Sequence, residues 1–272
     1  MPRSLRRSSI RVLSIALLAS ASLSAPLAAE LDLGSLQALV PDTETSPVPR
    51  GLVLGGVFIG ANARYIGQDD TALPIPGAVY FGEHFMYLGD RARYYVYNSS
   101  PVSVFGYGRV RFGNLDPEDT AELAGMHRRE GQFELGIGAN VVTPYALLTL
   151  RAAADVTGTS EGGEALMWAD FPVVRDRWLI MPGFGLLWRS SKLANYYFGG
   201  VAADEARAGR PQHDTGSTWS PMASLITTYR FDKHWLGTVS AAIEHFDSGT
   251  AESPIVDHEN ELTLITGVGY IW

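Results

Sequence analysis

Catalysis needs a nucleophile, a base or a set of metal ligands held together at one depth, and this chain offers few candidates. It has six histidines and no cysteine. Lack of cysteine excludes disulfides, thiolate metal sites and a lipoprotein anchor. Glu83-His84, His213-Asp214 and Asp257-His258 are loop pairs without metal-ligand spacing. Ser240 and His245 lie on one extended stretch at an odd separation, which puts them on opposite faces and rules out a nucleophile–base pair there. What remains is charge set among alternating residues. Arg64, Arg109, Arg111, Arg151, Arg189 and Arg230 stand against Glu134, Asp155, Asp170 and Glu244. Two uses follow: a lumen filled by ion pairs, or a narrow arginine-lined pore for small anions. Both require a sheet with an inside and an outside.

The closing segment Glu259–Trp272 shows such a sheet most plainly. Leu262, Leu264, Thr266, Val268, Tyr270 and Trp272 share one face; Glu261, Thr263, Ile265, Gly267, Gly269 and Ile271 share the other. The same alternation predicts strands at 52–65, 85–97, 102–112, 132–142, 145–157, 164–174, 177–189, 217–231 and 234–246. That makes ten strands, all-β and antiparallel. Turns near 98–101, 143–144, 175–176 and 232–233 are short, and the connections between them are long, as in an outer-membrane barrel. Residues 67–82, with Pro74 and Pro76, read as a surface loop, with two further strands there as the twelve-strand alternative. Asn114–Arg129 reads as polar, with room for one helical turn.

The first residues are not part of this sheet. Arg3, Arg6, Arg7 and Arg11 precede the apolar run Val12–Leu23 and the small residues Ala25–Ala29, the pattern of a cleaved signal peptide over 1–29. Cleavage takes four arginines from a formal charge of −8, leaving −12, which argues against nucleic acid as a partner. Residues 30–50 read as a periplasmic N-terminal segment and 51–272 as the barrel. An even strand number puts both termini on the periplasmic side.

Alternation also suits a soluble sandwich, so the aromatics decide. Trp178 and Trp188 share a face ten residues apart, as do Trp219 and Tyr229 on the next strand. Ten residues at roughly 3.4 Å each, tilted about 40°, climb roughly 26 Å. That matches an apolar band of about 25 Å with an aromatic girdle at each edge. Tyr270 and Trp272 close the same girdle. The expected fold is a transmembrane up-and-down β-barrel in outer-membrane lipid, inserted by the barrel-assembly machinery.

Two loop motifs are more specific. One reads Ala194-Asn195-Tyr196-Tyr197-Phe198-Gly199-Gly200 with Glu205-Ala206, and the other Ser253-Pro254-Ile255-Val256 before a strand ending G-x-G-Y-x-W. With Tyr65–Asp70 and Pro74-Ile75-Pro76 they make residues 51–272 resemble the MltA-interacting protein/OmpV family. The resemblance implies a monomeric outer-membrane barrel and, for the namesake, a scaffold joining a murein hydrolase to a murein synthase. Other members imply adhesion or osmotic and antibiotic responses. The resemblance brings no cofactor and no catalytic residue. The three-aromatic loop reads either as a lid and contact surface or as a loop packed upon itself.

Overall fold

The structure, a computed structural model, describes residues 46–272. The expected signal peptide and most of the N-terminal segment lie outside the described residues. The chain forms β1 (Gly51–Ala61), β2 (Thr71–Phe81), β3 (Phe85–Tyr87), β4 (Arg91–Ser99), β5 (Val102–Arg111), β6 (Gln132–Val142) and β7 (Leu147–Asp155). There follow β8 (Gly163–Asp170), β9 (Val173–Arg175), β10 (Trp178–Arg189), helix α1 (Ser191–Tyr197), β11 (Thr218–Arg230), β12 (Trp235–His245), helix α2 (Ser248–Ala251) and β13 (Asn260–Ile271).

Every ladder is antiparallel, and the sheet closes on itself through β10–β11 and β13–β1, with Val53 opposite Ile271. β8 and β9 both pair with β10, so they are one stave broken at Phe171-Pro172, and the thirteen stretches make twelve staves. Two more staves are present than the main ten-strand expectation. β2 occupies the stretch read as a loop, and the strand expected over 85–97 is folded into the hairpin β3–β4. Two prolines hid β2, since proline is confined to edges or bulges of a sheet. Asn114–Arg129 resolves into turns, without the helical turn expected there.

Gly51 and Trp272 lie at one end of the barrel, called here the near end; the long connections gather at the far end. Alternation along each strand sorts side chains into two environments. Outside stand Leu54, Phe58, Ile137, Leu150, Phe184 and Val268, all exposed, with Ile137 at 72%. A closed barrel satisfies its backbone internally and can present such a surface to hydrocarbon. Inside, the near half holds an apolar cluster, Phe105, Leu147, Leu179, Met181, Ile226 and Ile271, with buried polar side chains such as Asn140, Thr149 and Asp170 beside it. Val48 joins that cluster, and Ser46–Pro49 are buried, so the last residues before β1 sit in the near mouth and not free of the barrel.

Candidate functional site: an ion-paired lumen under a lid

The far half of the lumen is charged. Its hub is Glu164, the second residue of β8, which accepts from Arg111 Nη2 at 2.5 Å, Arg151 Nη1 at 2.6 Å and Arg109 Nη1 at 3.4 Å. Arg111 also donates from Nε to Glu134 at 2.6 Å, and Gln132 Nε2 donates to the same oxygen at 2.7 Å. Across the lumen Arg189 holds Glu244 by two parallel bonds, 2.5 and 2.9 Å, the fork geometry suited to a carboxylate. Arg64 grips Glu261 through Nε and Nη2 at 2.8 and 2.6 Å. All these side chains are at least nine-tenths buried. Removed from water, each charge is tolerable only because it is paired.

A lid closes this layer from above. Ser190 caps α1 by accepting from Leu193 N, and the helix delivers Tyr197 and Phe198 into the mouth. The Phe198 ring lies 3.7 Å from the Arg189 guanidinium carbon and 4.3 Å from that of Arg64. One aromatic ring thus meets two ion-paired cations, a favourable arrangement in a desolvated site. The Tyr197 carbonyl accepts three donors: Tyr65 Oη at 2.7 Å, Arg64 Nη1 at 3.0 Å and Asn114 Nδ2 at 3.0 Å. Tyr197 Oη donates to Glu130 O at 2.6 Å, and Tyr196 Oη accepts from Glu130 N at 2.9 Å.

The remaining motif residues bind lid to neighbouring loops. Gly199 has φ of 112°, and a Cβ there would meet Ser253 at 2.8 Å, so only glycine fits. Ser253 Oγ donates to Gly199 O at 2.5 Å, and Pro254 is half-buried beside it. Asn195 donates to Asp214 at 2.7 Å and accepts from Thr215 N at 3.0 Å; Ala194 is buried. Glu205 is buried and accepts from Arg129, His127 N and Ala202 N. Burial opposes its charge, but the Arg129 side chain and the two backbone amides outweigh that and hold its carboxyl below the ordinary glutamate range. Ala206 is exposed. Arg207 and Arg210 tie this loop to the carbonyls of Ala121, Glu122 and Ala124.

Of the charges expected in the lumen, Arg64, Arg109, Arg111, Glu134, Arg151, Arg189 and Glu244 meet in this layer. Three do not. Asp155 has inward parity, but its carboxylate is held by its own loop, accepting from the amides of Thr157, Ser160 and Glu161. Arg230 lies at the near mouth, donating to the Asp232 and Lys233 carbonyls. Asp170 is at the near end and accepts from Trp168 Nε1 at 2.8 Å. Sequence reasoning missed Glu164, Glu261 and the buried Arg91 and Arg93 as partners. Parity could have found Glu164, which stands an even step from Asp170.

Trp178 faces Tyr229, and Trp188 faces Trp219, in direct cross-strand register, with ring centroids 4.5 and 6.5 Å apart. At the near end Tyr270 contacts His234, Trp235 and Trp272. Ser240 points inward and is buried, whereas His245 is outside, 3.0 Å from Asn260 Oδ1.

Comparison with known proteins places this architecture. The chain is 24% identical to the MltA-interacting protein of Escherichia coli (strain K12) over 208 residues, 76% of this chain and 84% of that protein. It is 26% identical to the outer membrane protein OmpV of Vibrio cholerae over 157 residues, 57% of this chain and 60% of that one. Among solved structures, the outer membrane channel COG4313 from Pseudomonas putida F1 superposes with a TM-score of 0.41 at 10% identity, covering 85% of this chain and 99% of that one. The KdgM porin in complex with disordered oligogalacturonate gives 0.40 at 9%, covering 81% and 99%. The family model described as MltA-interacting protein MipA matches residues 54–272, from within β1 to the last residue, and the chain therefore belongs to the MltA-interacting protein family of outer-membrane barrels.

Proposed function

We propose that this chain is a non-enzymatic scaffold of the outer membrane, linked to enzymes of murein synthesis and turnover. One observation carries the reading: the lumen is crossed at two levels, by an apolar cluster near the termini and by an ion-paired layer under Phe198 beyond it. A barrel closed in this way offers surfaces and no passage. The name of its Escherichia coli relative, MltA-interacting protein, supports a murein enzyme as the partner. In this reading both termini are periplasmic, Trp178, Tyr229, Tyr270 and Trp272 form the girdle on that side, and Trp188 and Trp219 form the outer one. The near mouth, with Ser46–Pro49 buried in it, then faces the cell-wall enzymes. The tagged protein, solubilised from envelopes, should enrich murein hydrolases or synthases over an unrelated barrel of similar size; equal recovery overturns the reading.

A further inference from the structure

The barrel wall has a window. β2 runs beside β1 along its whole length, from Phe81 opposite Gly51 to Thr71 opposite Ala61, but meets β3 only at Tyr80 and Phe81. On the other side β5 pairs with β4 from Val102 to Arg109, leaving Val110 and Arg111 beyond the ladder. The hairpin β3–β4 thus stops short, and its turn, Leu88–Asp90, forms a sill between β2 and β5. Above, Gln68 Nε2 reaches Asn114 O at 3.4 Å and closes the frame.

The edge of β2 is built for this gap. In an antiparallel ladder one residue's N–H and C=O point to the same edge, and successive residues alternate. Gly82 N donates to Phe85 O across the β2–β3 turn at 2.9 Å, so even-numbered residues of β2 face the window. Pro74 and Pro76 are two of them and have no N–H to leave unpaired. Prolines at these places prevent the edge from recruiting another strand. They leave carbonyls aimed into a gap that hydrocarbon alone cannot satisfy.

Behind the window lies a cavity of about 680 Å³, lined by residues of both barrel faces. Pro76, Ala78 and Val110 reach it from outside, and Val57, Ile59 and Ile265 from inside. Its size is that of a small-molecule pocket, with apolar walls and a few convergent polar groups. Arg64, Arg109 and Arg111 reach it together with Asp90, while Glu261, Glu134 and Glu164 hold these arginines from beyond its lining. Arg109 Nε, a donor, is buried there without a hydrogen-bond partner, lying 3.4 Å from Asp90 Oδ2 outside bonding geometry. Such a group is expensive to bury unless something meets it.

We infer that the window between β2 and β5 admits a single-chain anionic amphiphile from the membrane, its acyl chain along β2 and its head at Arg109 Nε. This holds whether or not the barrel is a scaffold. The test is native mass spectrometry of the full barrel released from detergent, titrated with stearate, lysophosphatidate, stearyl alcohol and acetate. One saturable adduct is expected with stearate or lysophosphatidate, the stronger of which identifies a carboxylate or phosphate head, and none with the alcohol or acetate. Ala78→Trp should weaken it at least about tenfold by filling the window, while Leu264→Trp, on another part of the outer wall, should leave it unchanged. Val110→Trp serves if Ala78→Trp loses the heat-modifiable migration of a folded barrel. Equal adducts in the window variants and Leu264→Trp, or equal binding of stearyl alcohol, overturns the inference.

Discussion

Phe198 stands where two ion pairs meet, and its truncation separates the packing of the lid from the charge it covers. Phe198→Ala removes a fully buried ring and its contacts with Arg64 and Arg189. A loss of about 3–5 kcal/mol is expected from such a truncation, read from the urea midpoint in detergent. Glu164→Ala acts differently, because three arginines lose one acceptor at once. Breaking a buried ionic cluster from one side costs about 3–5 kcal/mol, since the three arginines stay buried with one carboxylate fewer. Lys192→Ala removes an exposed pair with Glu161 and should leave the midpoint unchanged. A Lys192 effect as large as that of Glu164 would show that burial does not decide the matter. Glu205 adds a pH dependence to the lid. Its folded carboxyl titrates below the ordinary glutamate value of about 4.3, so its contribution is complete above that value and declines as pH falls through the folded one. Hydrogen-exchange protection across residues 200–214, taken relative to the intrinsic rate at each pH, should therefore fall in acid, and Glu205→Gln should flatten that response.

At the scale of elements, most strands were legible because the two barrel faces differ so much. Phe133, Leu135 and Ile137 face out, while Gln132, Glu134 and Asn140 face in, and the period-two pattern of β6 is read directly from the sequence. The aromatic pairs of β10 and β11 proved to be cross-strand partners, because both strands carry them at the same ten-residue interval. β2 was illegible for a physical reason: its prolines signal a loop unless one knows that its edge has no partner along most of its length. β3 has three residues and no periodicity to read. Helix α1 could have been found, since Ser190 before Ser191–Tyr197 is an N-cap followed by leucine and alanine. The ion pairs were legible only one strand at a time. Which arginine meets which carboxylate depends on register, and Glu164 becomes a hub only when β5, β7 and β8 are brought together. The closing ladder carries a prediction of its own. Trp272 N donates to Leu52 O at 3.0 Å, and its ring packs on Tyr270, so the last residue finishes the seam of the barrel. Deleting Trp272 should reduce the yield of heat-modifiable protein in outer membranes, and undiminished yield would assign the seam to the ladder from Val53 to Ala61 alone.

The whole molecule is a barrel whose size and filling pull in opposite directions. Twelve staves enclose more room than the eight that side chains fill alone. Here the room is taken from both ends, by Val48 and its apolar neighbours at the near mouth and by Tyr197 and Phe198 above the ionic layer at the far one. Two barriers in series mean that opening either one leaves the other closed. In planar bilayers the unmodified protein should give no steady conductance. Phe198→Ala alone should give none either, because Leu179, Met181 and Ile226 still close the near half. Combining Phe198→Ala with Val48→Gly and Met181→Ala removes bulk from both barriers and should produce open events. Their passage should favour anions if the arginines of the exposed layer outweigh its carboxylates, and Arg109→Glu should then reverse the preference. Steady current through the unmodified barrel would mean that the paired charges part readily, and would give the arginine-lined pore priority over the scaffold.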